Sequence, residues 1–445
     1  MGLKSAPHGP KAQLRERYAP AFRTLATVGA ARDQSGAGRS ETLALVDGNV
    51  VMMSVPSSIT CFSAYVSYVY AALLRTFAAA AVTVVVFDEP ESVSQAKRLE
   101  QRRRDAASSG VACSDDLRVE LQRGDAYGAA ALQTTNVQAL KSSRESRPRL
   151  FDAVMVEVGR RLEAQAGRWA RGGQPGGVLV LDGIDPRGAD REGPREPRVT
   201  STSAEAVELF GRATPVGEGD LKLAMCGRVA RAAAGAEGLF KEAKIALVIT
   251  IDTDSLAIEL IEEARRADGP ASPLNSVLCM RERAKKRAHG DEGEAAEACY
   301  TCVDVTMLHA AVQRDVWTTT TPSPAQQRAT AAMLAVGFGA CGCDFVELAG
   351  LRADAVLDSM RAAMRRIDVP SVGAAWDGDA EALGRLDAPI RALLDATADR
   401  LEATKKSKKH IETIRDPPDL VLRKLKWLAA YWHGHEMDAT RFGFA

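Results

Sequence analysis

Ile245-Ala246-Leu247-Val248-Ile249-Thr250-Ile251-Asp252-Thr253-Asp254 decides the fold class. The run is apolar, rich in β-branched residues and without alternation, the pattern of a strand buried on both faces of a parallel sheet. Thr42–Val46 running into Asp47 and Val82–Phe87 running into Asp88 repeat it. Between those two lies a mostly apolar helical segment near Cys61–Ala80. A strand, a helix and a second strand in that order form a βαβ unit with a right-handed crossover. Val207–Phe210 is read as a fourth apolar run of this kind, leading to Glu218 and Asp220, with a helix at Leu221–Ala234. Gly177–Asp182 and Cys302–Val305 are shorter strand candidates, and helices are expected at Phe151–Ala170, Ser255–Ala267 and Pro324–Val336. The expected fold is α/β, with a mainly parallel central sheet flanked by helices and a helical carboxyl-terminal region from about residue 346.

Each of the four runs ends in or leads to acids, and a fifth acid, Asp344, lies in Gly342-Cys343-Asp344-Phe345. Open α/β sheets bind ligands beyond the carboxyl ends of their strands. Carboxylates gathered there raise one another's pKa unless cations neutralise them. The arrangement therefore points to a divalent-metal site, and a two-metal site suits phosphodiester hydrolysis. If residues 252–254 are extended, Asp252 and Asp254 share a face and can reach one ion. Glu218 and Asp220 stand where a helix would begin, a place that favours negative charge. Mg²⁺ takes oxygen ligands and retains several waters, so a few carboxylates suffice for each ion.

The chain has 445 residues, enough for a large domain with appendages. Its 46% hydrophobic content excludes wholesale disorder. Basic and acidic residues balance at 58 each, so any nucleic-acid surface has to be local. The eight cysteines follow no disulfide framework, which suits a reducing compartment. No secretory signal stands out, and Arg75 interrupts the longest apolar stretch, Cys61–Val86. The expectation is a soluble intracellular protein, nuclear or cytoplasmic, without a membrane span. Residues 105–150, 183–203 and 268–298 are polar and read as insertions.

The ordered set Val46-Asp47, Val86-Phe87-Asp88, Gly217-Glu218-Gly219-Asp220-Leu221-Lys222, Asp252-Thr253-Asp254 and Gly342-Cys343-Asp344-Phe345 resembles the 5′-nuclease superfamily. That superfamily contains flap endonucleases and the Xrn exoribonucleases, and the likeness spans roughly residues 42–360. It implies a PIN-like nuclease core over 1–345, a helix–three-turn–helix-like element over 346–372 and a helical region over 373–445. It also implies two Mg²⁺ or Mn²⁺ ions held by Asp47, Asp88, Glu218, Asp220, Asp252, Asp254 and Asp344. Lys97 with Arg103 or Arg104 would contact the scissile phosphate, and Arg102 is a further nucleic-acid contact. Gly350 and Arg352 would take part in gripping a duplex, although Arg352 stands where the family usually has a second glycine. The substrate implied is branched or 5′-ended DNA, with RNA as the alternative and a binding-only scaffold as a third reading. A monomer serving replication or repair partners is expected, and the Ala/Arg-rich, insertion-bearing character would fit a divergent family member from a GC-rich large DNA virus.

Lys405, Lys406, Lys408 and Lys409 could follow a phosphate backbone. The nearby Trp427, Leu428 and Tyr431 are spaced for packing on a core rather than for stacking on bases. Gly337-Phe338-Gly339-Ala340-Cys341-Gly342 matches a dinucleotide-binding pattern literally but follows an apparent helix. Cys299 and Cys302 are read as free thiols rather than as half of a zinc site with Cys279 and His289. His433-Gly434-His435-Glu436 lacks the helical spacing of a metal-binding motif.

Overall fold

The computed structural model describes residues 10–88, 135–143, 146–173, 177–182, 199–211, 218–266, 272–282, 299–317, 322–341, 353–364, 369, 386–403 and 418–432. After α1 (Pro10–Arg17) and β1 (Phe22–Leu25) come α2 (Val28–Gln34), β2 (Thr42–Asp47), α3 (Gly48–Met53), α4 (Phe62–Ala79) and β3 (Val82–Val86). The chain continues through α5 (Val137–Ser142), α6 (Ser146–Arg171), β4 (Val178–Asp182), β5 (Val199–Ser201) and α7 (Ala204–Gly211). Next are α8 (Gly219–Ala233), β6 (Ile245–Thr250), α9 (Asp254–Arg265), β7 (Asn275–Arg281), β8 (Tyr300–Asp304) and α10 (Val305–Trp317). The described elements end with α11 (Pro324–Ala340), α12 (Ala353–Met364), α13 (Asp387–Ala403) and α14 (Pro418–Trp432).

The strands form one eight-stranded sheet in the order β1-β8-β7-β6-β2-β3-β4-β5. β7, β6, β2, β3 and β4 are mutually parallel. β1, β8 and β5 are joined antiparallel at the margins. The sheet is therefore mixed, which corrects the expectation of a mainly parallel one. Its edge strands, β1 and β5, come from segments that the sequence pattern gave as polar or insertion-like: Phe22–Leu25 lies in the polar amino-terminal region and Val199–Ser201 at the end of an insertion-like tract. The inner strand β7, Asn275–Arg281, lies inside residues 268–298, also read as an insertion. Short strands on a margin, or strands with polar ends, do not carry the long unbroken apolar run that marks a sheet's middle.

Alternate residues of each central strand face opposite sides. Leu43, Leu45, Ala246 and Val248 enter the core under α8–α14, whereas Ala44, Val46, Leu247 and Ile249 enter the core under α2, α4 and α6. α4 supplies Phe62, Tyr65, Val66, Val69, Leu73 and Phe77 to the second core at intervals of three and four, as a one-sided helix must. α11 is buried from Ala329 to Ala340 and packs against α9, α12 and α14, so it is apolar all round.

Gly337 and Gly339 lie inside α11, and a Cβ there would stand 2.6 Å from Val356 Cγ1 and 2.6 Å from Leu428 Cδ2, respectively. The glycine pattern is thus a close-packing device between helices. Trp427 and Leu428 are fully buried in the same core.

The run at 204–211 is a helix, not a strand. Ala206 and Phe210, four residues apart, are its buried pair, and Ser203 Oγ caps it by accepting from the Ala206 amide at 3.2 Å. Alanine and glutamate favour a helix, and a run this short does not separate the two periodicities.

Candidate functional site at the carboxyl ends of the central strands

The connection leaving β2 goes to β3 on one side, and the connection leaving β6 goes to β7 on the other. The β2/β6 boundary is thus a switch point, where the crevice of an open α/β sheet lies. Asp47 is the last residue of β2, Asp252 follows the end of β6 and Asp88 follows the end of β3. α8 runs from this edge and packs on β2, β3 and α9, bringing Glu218 and Asp220 to the same place.

These side chains are held individually. Asp47 begins α3, and its Oδ1 accepts from the Val50 amide at 3.3 Å. Asp88 Oδ1 accepts from the Gly219 amide at 2.7 Å, joining the end of β3 to the start of α8. Asp220 Oδ1 accepts from Ser255 Oγ at 2.6 Å, joining α8 to α9. Asp252 Oδ1 accepts from the Asp254 amide at 3.2 Å. Thr253 is helical in backbone conformation, so residues 252–254 turn into α9 instead of continuing extended. Asp252 therefore caps a helix that Asp254 opens, a correction to the shared strand face drawn from their spacing. Glu218 is buried at the position preceding α8.

The acids act on one another. Burial first, and then the nearby charge of Asp88, with a smaller contribution from Asp252, pushes the Asp47 carboxyl up to about 7. The Asp220 carboxyl also lies well above the ordinary carboxylate range, through burial and then the charges of Asp252, Asp47 and Asp254, with the Ser255 hydrogen bond opposing. The structure thus brings Asp47, Asp88, Asp220, Asp252 and Asp254 into one electrostatic neighbourhood. Among the described residues, no three acidic, histidine or cysteine side chains close on a single point tightly enough to hold an ion. Asp344, Lys97, Arg102, Arg103, Arg104, Gly350, Arg352, Lys405, Lys406, Lys408 and Lys409 lie outside the described residues.

Asp47 makes stability depend on pH in the metal-free chain. Unfolded, it titrates near 3.8, and folded near 7. The folded state therefore binds more protons across that window, and stability falls as pH rises through it. Asp47→Asn keeps the capping oxygen and removes the charge, so we expect it to unfold at higher urea than the wild type at pH 8 and at a similar concentration at pH 4. An unchanged urea midpoint at pH 8 would refute this.

One residue at this edge escaped the sequence reading. Asp182 ends β4, and its Oδ2 accepts from Lys222 Nζ of α8 at 2.5 Å and from the Phe87 amide at 3.3 Å. Both side chains of this ion pair are at most 3% exposed. Burial raises the Asp182 carboxyl in spite of the opposing Lys222. The signal was present in Val178-Leu179-Val180-Leu181-Asp182, an apolar run ending in an acid like the others.

The donor set suits hard divalent cations, since every candidate ligand is a carboxylate. Positive charge would also relieve the repulsion and desolvation that raise Asp47 and Asp220. Gly219 keeps the approach open: a Cβ there would lie 3.2 Å from Asp88 Oδ1 and 3.6 Å from Asp47 Oδ1.

No helix among the described residues is long and apolar enough to cross a membrane. Comparison with known proteins finds no family model and no curated relative that matches the chain.

Proposed function

We propose that the chain is a divalent-metal-dependent 5′ nuclease that hydrolyses phosphodiester bonds, with structure-specific cleavage of DNA flaps as its main activity. The gathering of Asp47, Asp88, Asp220, Asp252 and Asp254 at the switch point carries this reading. The order of acids along the chain, which resembles the 5′-nuclease superfamily, supports it.

In this reading, Asp47, Asp88, Glu218, Asp220, Asp252 and Asp254, with Asp344, hold two Mg²⁺ or Mn²⁺ ions. Such ions supply Lewis-acid stabilisation and an activated water. The protein's contribution is orientation. The Gly219 amide fixes Asp88, the Ser255 hydroxyl fixes Asp220 and the Asp254 amide fixes Asp252. The Asp182–Lys222 pair ties α8 to β4, so the helix that carries Asp220 is anchored to the sheet. Lys97 and Arg103 or Arg104 are proposed to steady the phosphate, as a cation does where negative charge develops.

The test is to incubate the purified chain with Mg²⁺ and 5′-labelled substrates: a DNA flap, a DNA duplex and a single-stranded RNA. Cutting at the flap junction is expected. Preferential RNA cleavage would move the protein to the exoribonuclease branch, and binding without cleavage in Mg²⁺ and Mn²⁺ would leave a nucleic-acid scaffold.

A further inference from the structure

We infer that Cys279 and Cys302 form a dithiol site that a hydroperoxide oxidises to a disulfide, cross-linking β7 to β8. The two residues are register partners in the antiparallel β7/β8 pair. The Glu282 amide donates to the Cys299 carbonyl at 2.9 Å, making that a hydrogen-bonded pair. Counting inwards, 279/302 falls on a non-hydrogen-bonded pair, the kind whose Cα atoms approach to about 4.5 Å. That lies within the Cα range of about 4.4–6.8 Å that a disulfide spans. The sulfurs are already 3.5 Å apart.

Access is one-sided. Cys302 lines a cavity of about 480 Å³ together with Arg23, Gln34, Asn275 and Asp304, whereas Cys279 is fully buried. Arg23 is the register partner of Cys302 on β1 and therefore shares its face.

Cys302, the one of the two that lines the cavity, is the attacking sulfur. Its thiolate displaces hydroxide from the hydroperoxide and becomes a sulfenic acid. The Cys279 sulfur then attacks Cys302 Sγ and releases water. Overall, two thiols and one hydrogen peroxide give one disulfide and two waters. Cys299 is excluded as the partner: three positions along the strand from Cys302, its side chain points to the other face.

The full-length chain, reduced and then treated with hydrogen peroxide, would be alkylated in denaturant and digested with trypsin without reductant. The expected product joins the peptide ending at Arg281 to the peptide ending at Arg314. Two of the eight thiols should be lost to alkylation and recovered with dithiothreitol. In Cys279→Ser, a sulfenic acid at Cys302 should be trapped by dimedone, and in Cys302→Ser, Cys279 should stay unreacted. Persistence of both thiols, a Cys299–Cys302 link, or over-oxidised Cys302 beside an alkylatable Cys279 would overturn the proposal.

Discussion

Lys222→Met should cost roughly 3–5 kcal/mol of folding stability at pH 8, the scale for removing one partner of a buried ion pair. The reason is the charge left behind. Asp182 would keep only the Phe87 amide as a partner, at 3.3 Å, in a site where its side chain is 2% exposed. Burial already holds its carboxyl above the ordinary value with Lys222 present. Without the ammonium it should take up a proton more readily still, so the cost should shrink as pH falls from 8 towards 5. The pair itself is not a large source of stability, because its attraction is set against the desolvation of both groups. The double variant Lys222→Met with Asp182→Leu should therefore recover most of the loss. Chemical denaturation of the three chains at pH 8 and pH 5 checks this. Equal loss in the single and double variants would show that packing, not charge, is at stake.

Under the proposed nuclease function, Asp252→Ala should lower metal-dependent cleavage by more than about 100-fold. Losing a residue that only supports a metal ligand costs about 10–100-fold, and losing a ligand costs more. Folding should change little. The variant loses a cap at α9, worth about 1 kcal/mol, but removes a charge that raises both Asp47 and Asp220. Asp252→Asn keeps the capping oxygen without the charge and should be just as inactive, which separates the loss of charge from the loss of the cap. Single-turnover cleavage of a labelled flap by the three chains measures the effect. Wild-type turnover in either variant would remove Asp252 from the site.

The middle of the sheet was legible because β2, β3 and β6 are buried on both faces and keep no polar alternation. Their ends brought Asp47, Asp88 and Asp252 to one edge, as an open α/β sheet requires. The rest of the sheet was less legible. The edge strands Phe22–Leu25 and Val199–Ser201 are too short to show a period, and the inner strand Asn275–Arg281 was hidden by the charged residues after it. The helix at 204–211 failed for a related reason, since five apolar or aromatic positions over so few residues suit either period. Thr253 shows a different gap: spacing two acids at i and i+2 implies a shared face only if the backbone stays extended, and here it turns. Asp182 was missed because its partner, Lys222, lies 40 residues away in sequence.

The most direct measurement is the melting temperature of the wild-type chain at pH 8 with and without Mg²⁺ or Mn²⁺. If the strand-end acids hold these ions, saturation at about 100 times Kd stabilises the fold by about 2.7 kcal/mol, and the melting temperature rises by a few degrees. The rise should be lost in Asp252→Ala. An unchanged melting temperature in both ions, with the wild-type chain, would contradict a metal site at the β2/β6 switch point and the nuclease reading built on it.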